Sequence, residues 1–284
     1  MSRVNDSPPA WQIGPPRLPD ETPEIRALAE AYGLFARWPR RPNYLDHLLE
    51  VGRVVVARSS EGMLGYGGAL LGDKQAHLTD LFVRADKISR GIGGAILAAL
   101  DLDPTRTTTF ASADPRAQRL YGRLGLHRLE KLSHLGGRAE EVARLRQLVK
   151  QAMPLPGADV ELAIKKHLEL RGGLHGAADI SFLVKSAQAL TWASGYAWLR
   201  VANDDVCLGP IGSDDEATAA SVLADALLSA IRLRPSVQIA VAHSHPAYAL
   251  MVRAGFTTHD LDTVMTGDRS LIDLTRYCPD PDLG

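Results

Sequence analysis

The chain has 284 residues, 45% hydrophobic and 23% charged, the balance of a soluble globular protein with room for one large or two ordinary domains. Its 32 Lys and Arg offset 33 Asp and Glu, so no overall field recruits nucleic acid or anionic lipid. Cys207 and Cys278 stand far apart outside any CxxC, no apolar run reaches membrane-span length, and residues 1–9 lack the apolar stretch of a secretory signal; a disulfide framework is excluded and a cytoplasmic protein is expected.

Residues 1–19 are rich in proline and read as an extended lead-in. Thr22 and Pro23 then suit the cap and first position of a helix, and Ile25, Leu28, Ala29, Tyr32 and Phe35 follow at helical spacing. A second helix is expected over 44–51. Three β-rich runs, 53–58, 62–71 and 76–83, are joined by short polar turns, the pattern of an antiparallel meander. The turn Arg90-Gly91-Ile92-Gly93-Gly94 comes next and opens a helix whose body is 95–100. A strand over 107–111, a helix over 115–124 stopped by Gly125, and extended chain over 126–135 follow.

An amphipathic, charged helix over 139–153 ends at Pro154-Leu155-Pro156-Gly157 and reads as a connection. Beyond it the order recurs: a helix over 161–170, strands over 181–184, 195–201 and 205–211, a helix over 217–231, a strand over 237–242, and a helix over 246–252 before Gly255. The expected fold class is α/β in the mixed α+β sense. The divisions are a lead-in 1–19, a first domain 20–137, a helical linker 138–157 and a second domain 158–284.

Chemistry concentrates in the glycine-rich turn. Amides at a helix start have no intrahelical partner, and the helix dipole makes them electropositive. Glycines let a phosphate approach them, so a pyrophosphate is the natural ligand, with Arg90 adding a formal charge. A P-loop is excluded because Gly93-Gly94-Ala95 stands where Gly-Lys-Ser/Thr is needed. A dinucleotide turn is disfavoured, since Ile96 replaces its third glycine and the preceding strand ends a meander.

Leu81-Phe82-Val83, with Gly91-Ile92-Gly93 beginning eight residues after Val83, resembles the coenzyme-A-binding segment of the GCN5-related N-acetyltransferases. Asp114-Pro115-Arg116-Ala117-Gln118-Arg119-Leu120-Tyr121-Gly122-Arg123-Leu124-Gly125-Leu126 is similar to that family's Asn-x-x-Ala-x-x-Leu-Tyr-x-x-x-Gly-Phe helix. The resemblance covers residues 20–135 by motif and the second half only in outline. It implies two domains of this kind, each a mostly antiparallel mixed sheet flanked by helices. It also implies acetyl-CoA, or another acyl-CoA, as co-substrate, no metal, and direct attack of an amine on the thioester. The residues implied to bind the co-substrate are Leu81, Phe82, Val83, Ser89, Arg90, Gly91, Ile92, Gly93, Gly94, Asp114, Ala117 and Tyr121. By the same resemblance, the Val83 amide polarises the carbonyl and Tyr121 protonates the departing thiolate. Asp80 is the candidate base, acting through water, with His77 on the same strand as its alternative. Two positions depart from the family: Ile88 replaces a Gln or Arg, and Asp114 replaces Asn. Backbone donors do not depend on either.

Other chemistries find less support. His243-Ser244-His245 has no Cys or carboxylate nearby to complete a metal set, and no GxSxG marks a hydrolase. In the second half, matching Ala247, Leu250, Gly255 and Phe256 to Ala117, Leu120, Gly125 and Leu126 puts Met251 opposite Tyr121 and Ser244 opposite Asp114. Asp214, Asp215 and Glu216 stand where the first half has its glycines and would repel a pyrophosphate. The second half is therefore expected to be a copy without a site, shaping the acceptor pocket with Trp192, Tyr196 and Trp198 as lining. The expected activity is acetyl transfer to a small-molecule amine, with no nucleic-acid or membrane partner and homodimerisation left open. The other reading is a non-catalytic acyl-CoA-binding or scaffold protein.

Overall fold

The computed structural model describes residues 11–149, 151 and 153–284. In chain order the elements are β1 (Gln12–Gly14), α1 (Thr22–Ala31), α2 (Tyr44–Val51), β2 (Arg53–Ser59), β3 (Gly62–Leu71), β4 (Ala76–Val83), α3 (Ile92–Ala99), β5 (Thr107–Ala111), α4 (Pro115–Leu124), β6 (His127–Arg138) and α5 (Ala139–Leu148). The second half continues with α6 (Val160–Arg171), α7 (Ala177–Ser186), β7 (Gln188–Trp192), β8 (Gly195–Ala202), β9 (Asp205–Ser213), α8 (Glu216–Ala230), β10 (Ser236–Ala242), α9 (Tyr248–Ala254), β11 (Thr257–Thr266) and β12 (Tyr277–Cys278). The result is a mixed α/β fold on one mostly antiparallel sheet.

Eleven strands run in the order β1-β2-β3-β4-β5-β11-β6-β10-β9-β8-β7, and β12 adds to β9. Each half thus runs inward from its own edge, and the halves exchange their last strands. The run over 126–135 is extended as expected, but it does not close the first half: β6 pairs with β10, while β11 pairs with β5. β6 and β11 pair with each other along the middle of the molecule. Among the described residues, only β4·β5 and β9·β10 are parallel pairs.

Alternation along the strands sends side chains to two faces. Val55 and Ala57 enter a core under α3 and α4, whereas Val54 and Val56 enter one with α1 and α2. That second core is common to both halves, since it also takes Tyr196 and Trp198 from β8 and Phe182 from α7. Tyr196 and Trp198 are fully buried there, and Trp192 is buried in the core of α5, α8 and α9. These aromatics are core, not pocket lining; the apolar faces left by two packed helical layers need them for filling.

Residues 181–184, expected as a strand, lie inside α7. The Gly176 amide donates to Asp179 Oδ2 at 2.8 Å and caps the helix, and Phe182 stacks on the His47 ring of α2 at 4.5 Å. Cap and tertiary packing override the β propensity of Phe-Leu-Val. The strand instead starts at Gln188, after the helix. Residues 1–10 of the lead-in lie outside the described residues; Gln12–Gly14 pairs with β2. Residues 150 and 152 of the expected linker helix also lie outside them, and α5 ends at Leu148.

Candidate active site

The site is built where β4 and β5 separate. Their pairing covers Ala76↔Thr107, His77↔Thr108 and Leu78↔Thr109 and then stops, although β4 runs on to Val83. A bulge at Thr79 helps: β4 shifts register against β3 between Leu78 and Asp80, and Thr79 Oγ1 donates to Gly68 O at 3.0 Å. Across the β3 pair, the Arg84 amide donates to Leu64 O at 2.8 Å. Antiparallel alternation then turns the amides and carbonyls of Leu81 and Val83 the other way, into the gap.

The glycine turn stands at the end of β4. Ser89 has φ +66° and Gly91 φ +84°, so the chain reverses twice through left-handed geometry before α3 begins at Ile92. The first helical bond is Ala95 N to Gly91 O, which leaves the amides of Ile92, Gly93 and Gly94 outside the helical ladder. A side chain at Gly93 or Gly94 would meet Leu120 of α4 only at 3.5 or 3.7 Å. Crowding therefore does not demand glycine there; its effect is to leave a bare, electropositive helix start facing α4. The Lys87–Glu61 pair at 2.7 Å ties this loop to the β2–β3 hairpin.

On the far side, α4 begins at Asp114. Its carboxylate accepts from Arg116 N at 2.8 Å and pairs with the Arg116 guanidinium at 2.7 Å. An aspartate thus caps α4 at the position where the family motif has Asn. Tyr121 is buried on this helix, and burial, then the charges of Asp80 and Asp262, holds its phenol above the ordinary tyrosine range. It keeps its proton at neutral pH.

Asp80 lies on β4 and is 4% exposed. Tyr44 of α2 and Tyr66 of β3 both donate to its Oδ2 at 3.0 Å. Burial pushes its carboxyl up to about 7, against the lowering effect of those two bonds. His77, the alternative base, is buried against Phe110 and bonded to Thr108 Oγ1 at 3.1 Å. Burial and the Arg171 charge push it down to about 3, so its imidazole is neutral and a poor proton acceptor near pH 7.

Sequence reasoning missed several groups around the gap. Tyr44 and Tyr66 carry no motif, and Tyr32 of the α1 C-cap was read only as part of a helical stripe. Its hydroxyl donates to Val83 O at 2.6 Å. Asp262 arrives on β11 from the other half and bonds His134 of β6 at 2.7 Å. A separate cavity of about 230 Å³ lies between β6, β9 and β10, lined by Arg37, His134, Arg200, Gln238 and Asp280 among others. Its arginines are already paired, Arg37 with Asp282 and Arg200 with Asp280. No group of three or more His, Cys, Asp or Glu among the described residues is placed to hold a metal. His243 instead stacks on Tyr248 at 4.0 Å and bonds Ser133. No helix of the described residues is long and apolar enough to cross a membrane.

No protein-family model and no curated protein matches the sequence. Solved structures do match in fold. A candidate acetyltransferase from Pyrococcus horikoshii superposes with a TM-score of 0.71 at 15% identity, over 100% of this chain and 99% of that one. A tandem GNAT protein from the clavulanic acid biosynthesis pathway, solved without acetyl-CoA, gives 0.59 at 19% identity, over 90% and 98%. A GCN5-related N-acetyltransferase from Sphaerobacter thermophilus gives 0.53 at 13%, over 91% and 95%. The chain therefore has the fold of the GCN5-related N-acetyltransferases, in their tandem arrangement.

Proposed function

We propose that the β4–β5 gap binds an acyl-CoA, acetyl-CoA first among them, and transfers its acyl group to the amine of a small molecule. One observation carries the reading. β4 and β5 stop pairing after Leu78 and Thr109, and a helix start with three amides outside its ladder follows the end of the longer strand. Asp80 on β4, with a carboxyl near pKa 7, and the protonated Tyr121 phenol on α4 supply the acid–base groups of the reading. The pyrophosphate sits on the amides of Ile92, Gly93 and Gly94, with Arg90 near enough in sequence to add charge. Ile88 contributes no polar group, so the backbone supplies most of the hold.

The thioester carbonyl accepts from Val83 N–H, which stabilises the oxyanion as the amine nitrogen attacks. The C–N bond forms and the C–S bond breaks. Asp80 takes the proton of the incoming ammonium through water; a base near pKa 7 is matched to that task. Tyr121 gives its proton to the departing thiolate as the tetrahedral intermediate collapses, and the second proton shed by the attacking nitrogen passes through solvent to restore the phenol. The products are the N-acyl amine and free CoA.

Calorimetry with acetyl-CoA, followed by thiol release over a panel of amines, tests the reading. Micromolar binding with turnover on at least one amine is expected. Binding without turnover on any of them favours the non-catalytic acyl-CoA-binding or scaffold reading, and absent binding overturns both.

A further inference from the structure

Tyr32 stands against Val83, the residue whose amide receives the thioester carbonyl in the proposed complex. It is the C-cap of α1, and Gly33 follows with φ +78°, turning the chain away and leaving the ring at the β4 edge. The hydroxyl is 2.6 Å from Val83 O, and the ring stacks on Phe82 with centroids 4.6 Å apart and planes at 24°. Phe82 in turn meets the Tyr66 ring edge-on at 5.7 Å. This aromatic stack fixes the Tyr32 ring from behind, while 44% of the residue stays exposed. Burial holds its phenol above the ordinary tyrosine range, so the hydroxyl keeps the proton it donates to Val83 O.

The Val83 amide and carbonyl point into the gap from the same residue. A thioester oxygen on that amide puts the acyl carbon beside the hydroxyl that caps the carbonyl. A methyl group is short enough to rest against the ring. Each further methylene must enter the space the ring occupies or displace it from Phe82.

We infer that Tyr32 is the acyl-length determinant of this site, restricting it to acetyl-CoA over longer acyl-CoAs. The inference rests on the acyl-CoA reading above and adds the identity of the acyl group.

Calorimetry with acetyl-CoA and butyryl-CoA tests it without any knowledge of the amine. The wild-type chain is expected to bind butyryl-CoA about tenfold more weakly than acetyl-CoA. Tyr32→Ala is expected to abolish or invert that ratio, because two buried methylenes contribute about tenfold once there is room for them. Tyr32→Phe keeps the ring and is expected to keep the discrimination. Tyr32 is exposed at a helix end, and a circular-dichroism spectrum checks that each variant is folded. An unchanged ratio in folded Tyr32→Ala, or equal wild-type affinity for the two ligands, overturns the inference while leaving acyl-CoA binding standing. Wild-type protein that binds neither ligand removes the acyl-CoA reading itself, and this inference with it.

Discussion

The sheet parts at matching places in its two halves, and different residues surround the two partings. β4 and β5 separate after Leu78 and Thr109; β9 and β10 separate after Leu208 and Ile239. The first gap has glycines at its helix start, whereas the second leads through Asp214 into a helix capped by Asp215 Oδ1, which accepts from Thr218 N at 2.8 Å. Tyr121 is buried on α4 beside the first, and Met251 is fully buried at the matching place in the second. The second gap is also filled: β12 pairs with β9 at Ile211 and Gly212, on the edge that β10 has left, and Ser213 N continues the ladder to Arg276 O at 3.0 Å. A strand gap exposes unpaired peptide groups, and these must be satisfied by a ligand or by the chain itself. The second half is satisfied by its own chain, and in the function proposed above the first half is satisfied by the ligand.

The largest effect that sharpens this contrast is expected at the paired tyrosine and methionine. Tyr121→Phe should lower turnover by about a hundredfold or more, as loss of a general acid does, with acetyl-CoA affinity retained. Met251→Ala should leave turnover per folded molecule unchanged and instead cost about 3 kcal/mol of stability through the cavity it makes, read by urea unfolding. Equal loss of turnover in both variants would break the division into site and support.

Asp80 gives the next effect, and its sign follows from burial. Its folded pKa, about 7, lies above the unfolded value, so the folded state holds the proton more tightly. Its favourable contribution is complete below pH 4 and is lost as pH rises toward 7, by a few kcal/mol at most. Asp80→Asn removes that slope, so unfolding measured at pH 5 and pH 8 should show the variant gaining on the wild type at the higher pH. With Asp80 as base, kcat/KM should rise with pH to a plateau above about 7, and the variant should lose that rise. A wild-type profile flat across that window assigns the base elsewhere. In the second half Leu208 matches Leu78, which puts Pro210, with no titratable group, at the place of Asp80.

Legibility in the sequence followed the range of the interactions. The glycine turn and the Tyr121 helix were readable because their chemistry lies within a few consecutive residues: amides, a cap and a stop at Gly125. The meander was readable from three short β-rich runs joined by polar turns. The partners of Asp80 were not, since Tyr44 and Tyr66 come from a helix and a neighbouring strand and meet only after packing. Strand exchange was equally invisible: an extended run such as 127–138 carries no mark of which edge it joins. β12 has two residues and β7 five, too short for a period to stand out. Residues 181–184 misled because their β-branched and aromatic character is shared by buried helix faces.

The helix starts offer a smaller contrast. Gly93→Asp puts a carboxylate among the amides that hold the pyrophosphate in the proposed complex, and should weaken acetyl-CoA by about thirtyfold through lost dipole attraction and repulsion. Asp215→Asn removes a charge from the matching place in the second half, keeps a capping oxygen, and should leave acetyl-CoA affinity unchanged with one ligand per chain by calorimetry. A gain of a second binding event in that variant would mean that acidity, and not β12, keeps the second gap closed.

The smallest effect separates structure from chemistry at Asp114. Its carboxylate caps α4 and holds Arg116, so Asp114→Ala should cost about 1 kcal/mol of stability, while Asp114→Asn, which retains an acceptor for Arg116 N, should cost only a few tenths. If capping is all that Asp114 does, Asn restores acetyl-CoA affinity to the wild-type value and Ala lowers it only slightly. A deficit in affinity that Asn does not repair would show that the charge pair with Arg116 holds the α4 wall of the gap, and would move Arg116 from the exposed surface into the account of the site.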